Sequence, residues 1–268
     1  MAETSKFGHL LSRLRSYFIF VPLVFIYTGA LGAGSLISSF FDRKGRLQHN
    51  FARLWSWLIL KTCLTPVATT GLDAIDTSKP HLYVVNHLSA MDIPVLYASL
   101  PFAFRILAKR ELFRYPFLGW HLRRSGQIPV DVGSARSSIR SIKGAIDALK
   151  AGTPLLVFPE GGRTPDGHIM PFQRGSFYAA IKAQVEVIPM ALIGTFETLP
   201  MNTYHVKPRP LRLVVGQPIS TAGYTTHDME KLATQAQNAV EGLYYANSHV
   251  ADPRAPALNA PALGGAQE

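Results

Sequence analysis

Hydrophobic positions along this chain fall into three regimes. Residues 17–41 carry no charged side chain, a run long enough to cross a hydrocarbon core of about 30 Å. Residues 51–64 form a second apolar segment, punctuated by Trp55, Trp57 and Lys61, with the composition of an interfacial helix. From about residue 71 short apolar runs alternate with helical spacing. Residues 82–85, 104–108, 128–130, 155–158, 187–193 and 211–215 read as strands. Residues 137–149, with Ile139, Ile142, Ala145, Ile146 and Leu149 on one face, predict a helix, as do residues 177–183 and 226–245. Pro129 places 128–130 at a sheet edge, because proline has no N–H for a ladder. The alternation predicts an α/β fold, a mostly parallel sheet flanked by helices, behind an N-terminal two-helix membrane anchor. Three segments result: anchoring helices over 1–70, the α/β domain over 71–250, and an alanine- and proline-rich tail over 251–268 that is expected to be disordered.

Charge sharpens the first regime. The 268 residues carry 27 Lys and Arg against 17 Asp and Glu, a net charge of +10, yet 47% are hydrophobic. Basic and apolar together fit an anionic membrane surface, and no finger, zipper or aromatic-basic platform points to nucleic acid. A signal peptide would use Lys6, Arg13 and Arg15 as its basic region, with cleavage near residues 30–32, but the apolar run continues past that point. A simple span should have its basic residues on one side, whereas Arg43, Lys44, Arg46 and Arg53 follow the run as well. Pro22, Gly29, Gly32 and Gly34 permit a kink or a re-entrant hairpin. Spanning and re-entrant insertion both stay open. The single cysteine, Cys63, excludes an internal disulfide and a cysteine-based metal cluster, and its apolar segment makes it a buried thiol.

The chemistry concentrates at two turns. Asn86 ends the apolar run 82–85, and helical spacing begins near Met91, with Asp92 and Pro94 suited to a first helical turn. On one continuous helix His87 and Asp92 would diverge by about 140°; across a strand-to-helix turn they can face each other. A carboxylate on one imidazole nitrogen fixes the tautomer and makes the other nitrogen a better base. The plainer alternative is a cap or turn contact with no catalytic role. The second turn, Phe158-Pro159-Glu160-Gly161-Gly162-Arg163-Thr164, directly follows a buried strand, where α/β folds place their ligand sites. Its glycines let backbone approach a ligand and can form an N–H nest. Arg163 offers a fork for phosphate or carboxylate, and Glu160 either anchors that arginine or accepts from a substrate hydroxyl.

Further short patterns lie between and beyond these turns: Lys109-Arg110-Glu111-Leu112 with Pro116 and Gly119, Gly126-x-x-x-x-Asp131, and Val187-Ile188-Pro189. With Asn86-His87-x-x-x-x-Asp92 and the Glu160 turn, in this order over roughly residues 82–191, they resemble the glycerolipid acyltransferases, in particular the 1-acylglycerol-3-phosphate acyltransferases of phosphatidic acid synthesis. The resemblance implies His87 and Asp92 as catalytic residues. It assigns Glu160, Gly161 and Arg163 to the acceptor's glycerol phosphate, with Gly162, Lys109 and Asp131 as further substrate-binding positions. The reaction it implies is direct transfer from acyl-CoA or acyl carrier protein to a lysophospholipid hydroxyl, with no cofactor and no metal. His121, His168 and His205 show no paired metal spacing. An active site on the cytoplasmic face of a membrane, such as a bacterial inner membrane, follows from a lipid acceptor and a soluble donor.

One departure bears on the acceptor. The family's second motif usually ends Asp-Arg, but here Val132 follows Asp131. Arg136, Arg140 or Lys109 is then left to supply the cation, or the acceptor is another lysolipid, such as a lyso-aminolipid. Gly162, where the family often has Thr or Ser, is a milder change. A lipid hydrolase or thioesterase would use the same His–Asp pair on water, but no Gly-x-Ser-x-Gly elbow is present. A non-catalytic lipid-binding protein has no need of His87 and Asp92.

Overall fold

The computed structural model describes residues 6–42, 45–130 and 135–254, and side chains of residues 135–140 lie outside the description. Asp131, the alternative cations Arg136 and Arg140, and the tail from 255 onward therefore fall outside the described residues. The chain begins with α1 (Lys6–Arg15), a π-helical turn (Ser16–Phe20) and α2 (Val21–Ser38). Together these give one helix, Phe7–Ser38, long and apolar enough to cross a membrane by length and composition. Next come α3 (Arg46–Thr62), β1 (Val67–Thr70), β2 (Leu82–Val85), α4 (Asp92–Ser99), β3 (Arg105–Lys109) and α5 (Leu118–Arg124). The remaining elements are β4 (Ile128–Val130), α6 (Ala135–Lys150), β5 (Leu155–Val157), α7 (Tyr178–Ala183), β6 (Val187–Ile193), α8 (Thr195–Thr198), β7 (Leu211–Val215) and α9 (Met229–Asn247).

Among the described residues the strands form one sheet in the order β1-β7-β6-β2-β5-β3-β4. Every neighbouring pair is parallel except β6 with β7. The expected mostly parallel sheet is present, and β4 with Pro129 is at its edge. Pleating sends alternate residues to opposite faces. Tyr83 and Val85 of β2 join α3 and α4 in one core, with Cys63, Leu96 and Ile188. Leu82 and Val84 join α6, α7 and α9 in the other, with Leu149, Phe177 and Val240. Both faces are covered, which is why β2 reads as an unbroken apolar run, all four residues fully buried.

Three features differ from the sequence reading. Val67–Thr70, unrecognised as a strand, pairs with β7 as the other edge of the sheet; two of its four residues are threonines and only one is partly buried, so it lacks an apolar signature. The segment read as an interfacial helix, α3, puts Ala52, Ile59 and Leu60 into the core, while Leu54 and Trp57 stay exposed on its other side. The N-terminal helix is fastened to the α/β layers at both ends: Ser16 Oγ donates to the Val206 carbonyl (3.2 Å), and Ser35 Oγ bonds His121 Nδ1 (2.7 Å). Between them Trp55 Nε1 donates to Thr28 Oγ1 (3.0 Å), tying α3 to α2.

Candidate active site

The β2 turn, the β5 turn and Lys109 lie at the carboxyl ends of three adjacent strands, β2, β5 and β3. Register makes them level. Leu156 is opposite Tyr83 on one side and Ile106 on the other, so residues 160, 87 and 109 stand within about one residue of the same height. This is the end of a parallel sheet where loops converge on ligands.

Asn86 starts the turn by imitating a strand residue. Its buried side-chain amide accepts from Leu192 N–H (2.7 Å) and donates to the Leu192 carbonyl (3.0 Å), extending the β2–β6 ladder by side chain while the main chain turns away. Asp92, fully buried at the first turn of α4, receives three donors on Oδ2: His87 Nδ1 at 2.8 Å, Leu88 N–H at 2.8 Å and Ser89 N–H at 2.9 Å. The catalytic and the turn-forming readings of this carboxylate therefore coexist on one oxygen. Its other oxygen, Oδ1, is buried without a partner. With Nδ1 committed to a carboxylate, the imidazole's free lone pair is at Nε2, which has no hydrogen-bond partner among the described residues, on a side chain 21% exposed. The Phe158 ring stacks on the imidazole, centroids 4.0 Å apart and planes at 25°.

Glu160 does something other than expected. It is buried, and its two oxygens accept His87 N–H (2.6 Å) and Met170 N–H (2.8 Å). The carboxyl group expected to anchor Arg163 or meet a substrate hydroxyl instead holds the backbone of the His87 turn; no Glu160–Arg163 pair forms among the described residues. Burial pushes its pKa up to about 8, against the pull of those two N–H donors. Thr164 N–H closes the other side, donating to the His87 carbonyl (3.2 Å). The two turns are thus bonded into one unit through His87. Gly161 is required by this geometry: its φ is +74°, and a Cβ there would fall 2.3 Å from Gln173 Nε2. Gly162 has open space around its Cα. Arg163 and Lys109 are exposed cations at the same end of the sheet. Among the described residues no cluster of His, Cys, Asp or Glu has the makings of a metal site.

The Acyltransferase family model matches residues 66–193, from β1 through β6, a span that includes both turns. A 1-acyl-sn-glycerol-3-phosphate acyltransferase of Helicobacter pylori is 30% identical over 217 residues, 80% of this chain and 86% of its own length. The chain belongs to the acyltransferase family. The crystal structure of the 1-acyl-sn-glycerophosphate acyltransferase PlsC from Thermotoga maritima has the same fold, with a TM-score of 0.72 at 26% identity, covering 89% of this chain and 95% of that one. Chloroplastic 1-acyl-sn-glycerol-3-phosphate acyltransferases of Brassica napus and Arabidopsis thaliana are 31% and 32% identical over 67% of this chain. This chain spans about half their length, 52% and 51%.

Sequence reasoning missed several residues that shape this site. Met170 and Thr164 act through backbone N–H groups, which leave no mark on residue type. Ser89 Oγ donates to the Leu199 carbonyl (2.7 Å) and accepts Met91 N–H (3.1 Å), so it locks the turn. Its position two residues after His87 is a signal that a search for turn-stabilising hydroxyls would have found. Phe158 was visible in the motif, but its place over the imidazole needed the third dimension.

Proposed function

We propose that this acyltransferase moves an acyl group from acyl-CoA or acyl carrier protein to the free hydroxyl of 1-acylglycerol-3-phosphate, giving phosphatidic acid. The observation that carries this reading is the His87 Nδ1–Asp92 Oδ2 hydrogen bond of 2.8 Å, which leaves Nε2 free at the ligand end of the sheet. His87 Nε2 takes the proton of the lysolipid hydroxyl as that oxygen attacks the thioester carbonyl. The C–S bond then breaks, and the imidazolium returns its proton to the departing thiolate. Asp92, buried and bonded to Nδ1, holds the tautomer and faces the imidazolium as it forms. A positioned base of this kind contributes about 10²–10⁴-fold, and alignment of the two substrates supplies much of the remainder. No acyl-enzyme is required, and Ser89 is occupied in the turn.

Arg163 and Lys109 are the cations this reading assigns to the acceptor phosphate. Glu160 and Gly161 serve by shaping the turn, with Gly162 leaving room at its surface. Lipid access comes from the N-terminal helix, whose Phe18, Phe25 and Ile26 are exposed, and from Phe40 and Phe41 in the turn after it; these suit an apolar environment. The site then works at the cytoplasmic face of the membrane, where a soluble thioester and a bilayer lipid meet. Val132 after Asp131 favours a second acceptor class, a lysolipid with a different headgroup.

The test is acyl transfer by the purified chain in lipid micelles, wild type against His87→Ala, with labelled acyl-CoA and acyl carrier protein offered to a panel of lysolipids. The expected result is transfer to 1-acylglycerol-3-phosphate that falls by at least about 10²-fold in the variant. Equal transfer by both proteins overturns the general-base role. Acyl release into water without an acceptor overturns transfer in favour of hydrolysis.

A further inference from the structure

At the opposite end of the sheet, the amino ends of β3 and β5, lies a cavity of about 540 Å³. It is separated from Lys109 by the length of β3, four residue steps or about 13 Å. Arg46 and His49 of α3, Arg105 of β3 and His121 of α5 contribute to its wall, together with Thr153 and Gln127. No Asp or Glu is among its lining residues. The guanidinium groups of Arg46 and Arg105 make no hydrogen bond or ion pair with the described residues. His49 is 7% exposed, and its Nε2 is buried without a partner.

An orphaned buried polar atom is destabilising until it finds a partner, and two unpaired arginines beside it define the charge of what would satisfy it. Among the described residues, the titratable and charged groups lining the cavity with His49 are Arg46 on its own helix, Arg105 from β3, His121 from α5 and the Tyr97 phenol from α4, and Arg53 also acts on its imidazole, so all of them are cationic or neutral. Burial, with Arg53 next, pushes His49 down to about 4, so its imidazole is neutral near pH 7 and Nε2 can accept a hydrogen bond. His121 is pushed down by burial, and its Nδ1 is engaged by Ser35. Sulfate and carboxylate carry no proton to give a neutral imidazole at that pH. A phosphate monoester, with a second pKa of about 6, retains an acidic hydrogen in part of its population, and its remaining oxygens match arginine forks.

We propose that this cavity binds a phosphomonoester group, the P–O–H meeting His49 Nε2 and the other oxygens meeting Arg46 and Arg105. The group is carried either by a small phosphorylated molecule or by a lipid headgroup. Exposed Phe40 and Phe41 follow α2 close by, where the Arg124 guanidinium lies 5.4 Å from the Phe40 ring centroid. The site is separate from the catalytic end, and it stands whether or not the acyl-transfer reading does.

The test follows the histidine-ring resonances of the ¹⁵N-labelled full chain in detergent micelles; His49 is the resonance that disappears in His49→Gln. Inorganic phosphate is titrated in one arm. In the other, phosphatidylcholine bicelles with and without phosphatidic acid are compared. The expected result is a saturable shift of the His49 signal, weakened about tenfold or more in Arg46→Gln/Arg105→Gln and retained in Arg163→Ala. A response to phosphate assigns a soluble source, and a response to phosphatidic acid alone assigns the lipid. If His49→Gln does not fold, calorimetric titration of the arginine double variant, whose changes lie at the cavity's rim, decides the same question. No response to either probe, or one unchanged in the double variant, overturns the proposal.

Discussion

Asp92→Asn separates the two jobs that converge on one carboxylate oxygen. Oδ2 accepts the His87 imidazole and the Leu88 and Ser89 N–H groups, all within 2.9 Å. An asparagine placed with its oxygen at that position keeps all three acceptor contacts. Its amide nitrogen takes the place of Oδ1, which is already buried without a partner. The fold therefore exchanges a charged acceptor for a neutral one, at a cost of about 1–2 kcal/mol. Catalysis loses more, because a neutral amide neither stabilises an imidazolium nor enforces the same tautomer. The expected fall in kcat is about 10²–10⁴-fold, or roughly 3–5 kcal/mol in the barrier. Asp92→Ala supplies the contrast. It orphans two buried N–H groups at about 1–3 kcal/mol each, so it lowers both thermal stability and activity. Rates of labelled acyl transfer to 1-acylglycerol-3-phosphate, measured beside thermal unfolding in the same micelles, separate the cases. An Asp92→Asn protein within about threefold of wild type would show that the carboxylate only builds the turn, and the general-base mechanism would fall.

The remaining expectations use the same two readouts. Gly161→Ala forces a left-handed residue and displaces Gln173, so unfolding should come earlier by about 1–2 kcal/mol, with activity lost as the Glu160 turn shifts; an unchanged melting temperature contradicts this geometry. Glu160→Gln removes a group whose folded pKa, about 8, lies above its ordinary 4.5. Between those values the native state holds a proton that the unfolded chain has released, so wild-type stability should fall with rising pH, by up to about 1.4 kcal/mol per unit, relative to the variant. Parallel denaturation curves from pH 5 to 8 would refute that assignment. Lys109→Ala and Arg163→Ala should each raise KM for the phosphate acceptor about 10- to 100-fold, with kcat nearly unchanged; a change in kcat alone would place them elsewhere in the reaction.

Much of this fold was legible because both faces of the sheet are covered. Buried parallel strands such as β2 and β6 need unbroken apolar runs, and the helices between them need one apolar stripe, as in α6 and α9. What escaped detection had no such requirement. The edge strand β1 faces solvent with two threonines, and α3 has an amphipathic pattern that suits a protein core as well as a membrane interface. At the site, the His87–Asp92 spacing and the glycines of the β5 turn were readable because their chemistry depends on residue type. The role of Glu160 was not. Which partner a carboxylate takes is decided by which backbone N–H groups the fold aims at it, and Met170 N–H arrives from ten residues away along a loop without regular structure.

The displaced role of Glu160 changes how the two motifs work together. A carboxyl group whose two oxygens accept His87 N–H and Met170 N–H is not free to clamp an arginine. Arg163 is thereby left exposed at the turn's surface. His87 is gripped at four points: Asp92 on the ring nitrogen, Phe158 on the ring face, Glu160 on the backbone N–H, and Thr164 on the carbonyl. Three of the four come from the β5 turn, 71 or more residues beyond His87 in sequence (158 − 87 = 71). On the reading proposed above, the base and the loop that meets the acceptor phosphate are thereby tied into one unit. A shift of the β5 turn would then reach the imidazole through hydrogen bonds to the His87 backbone, without passing through Asp92. In that reading Glu160 and Gly161 fix the base, and Arg163, two residues beyond Gly161, is free to meet the acceptor.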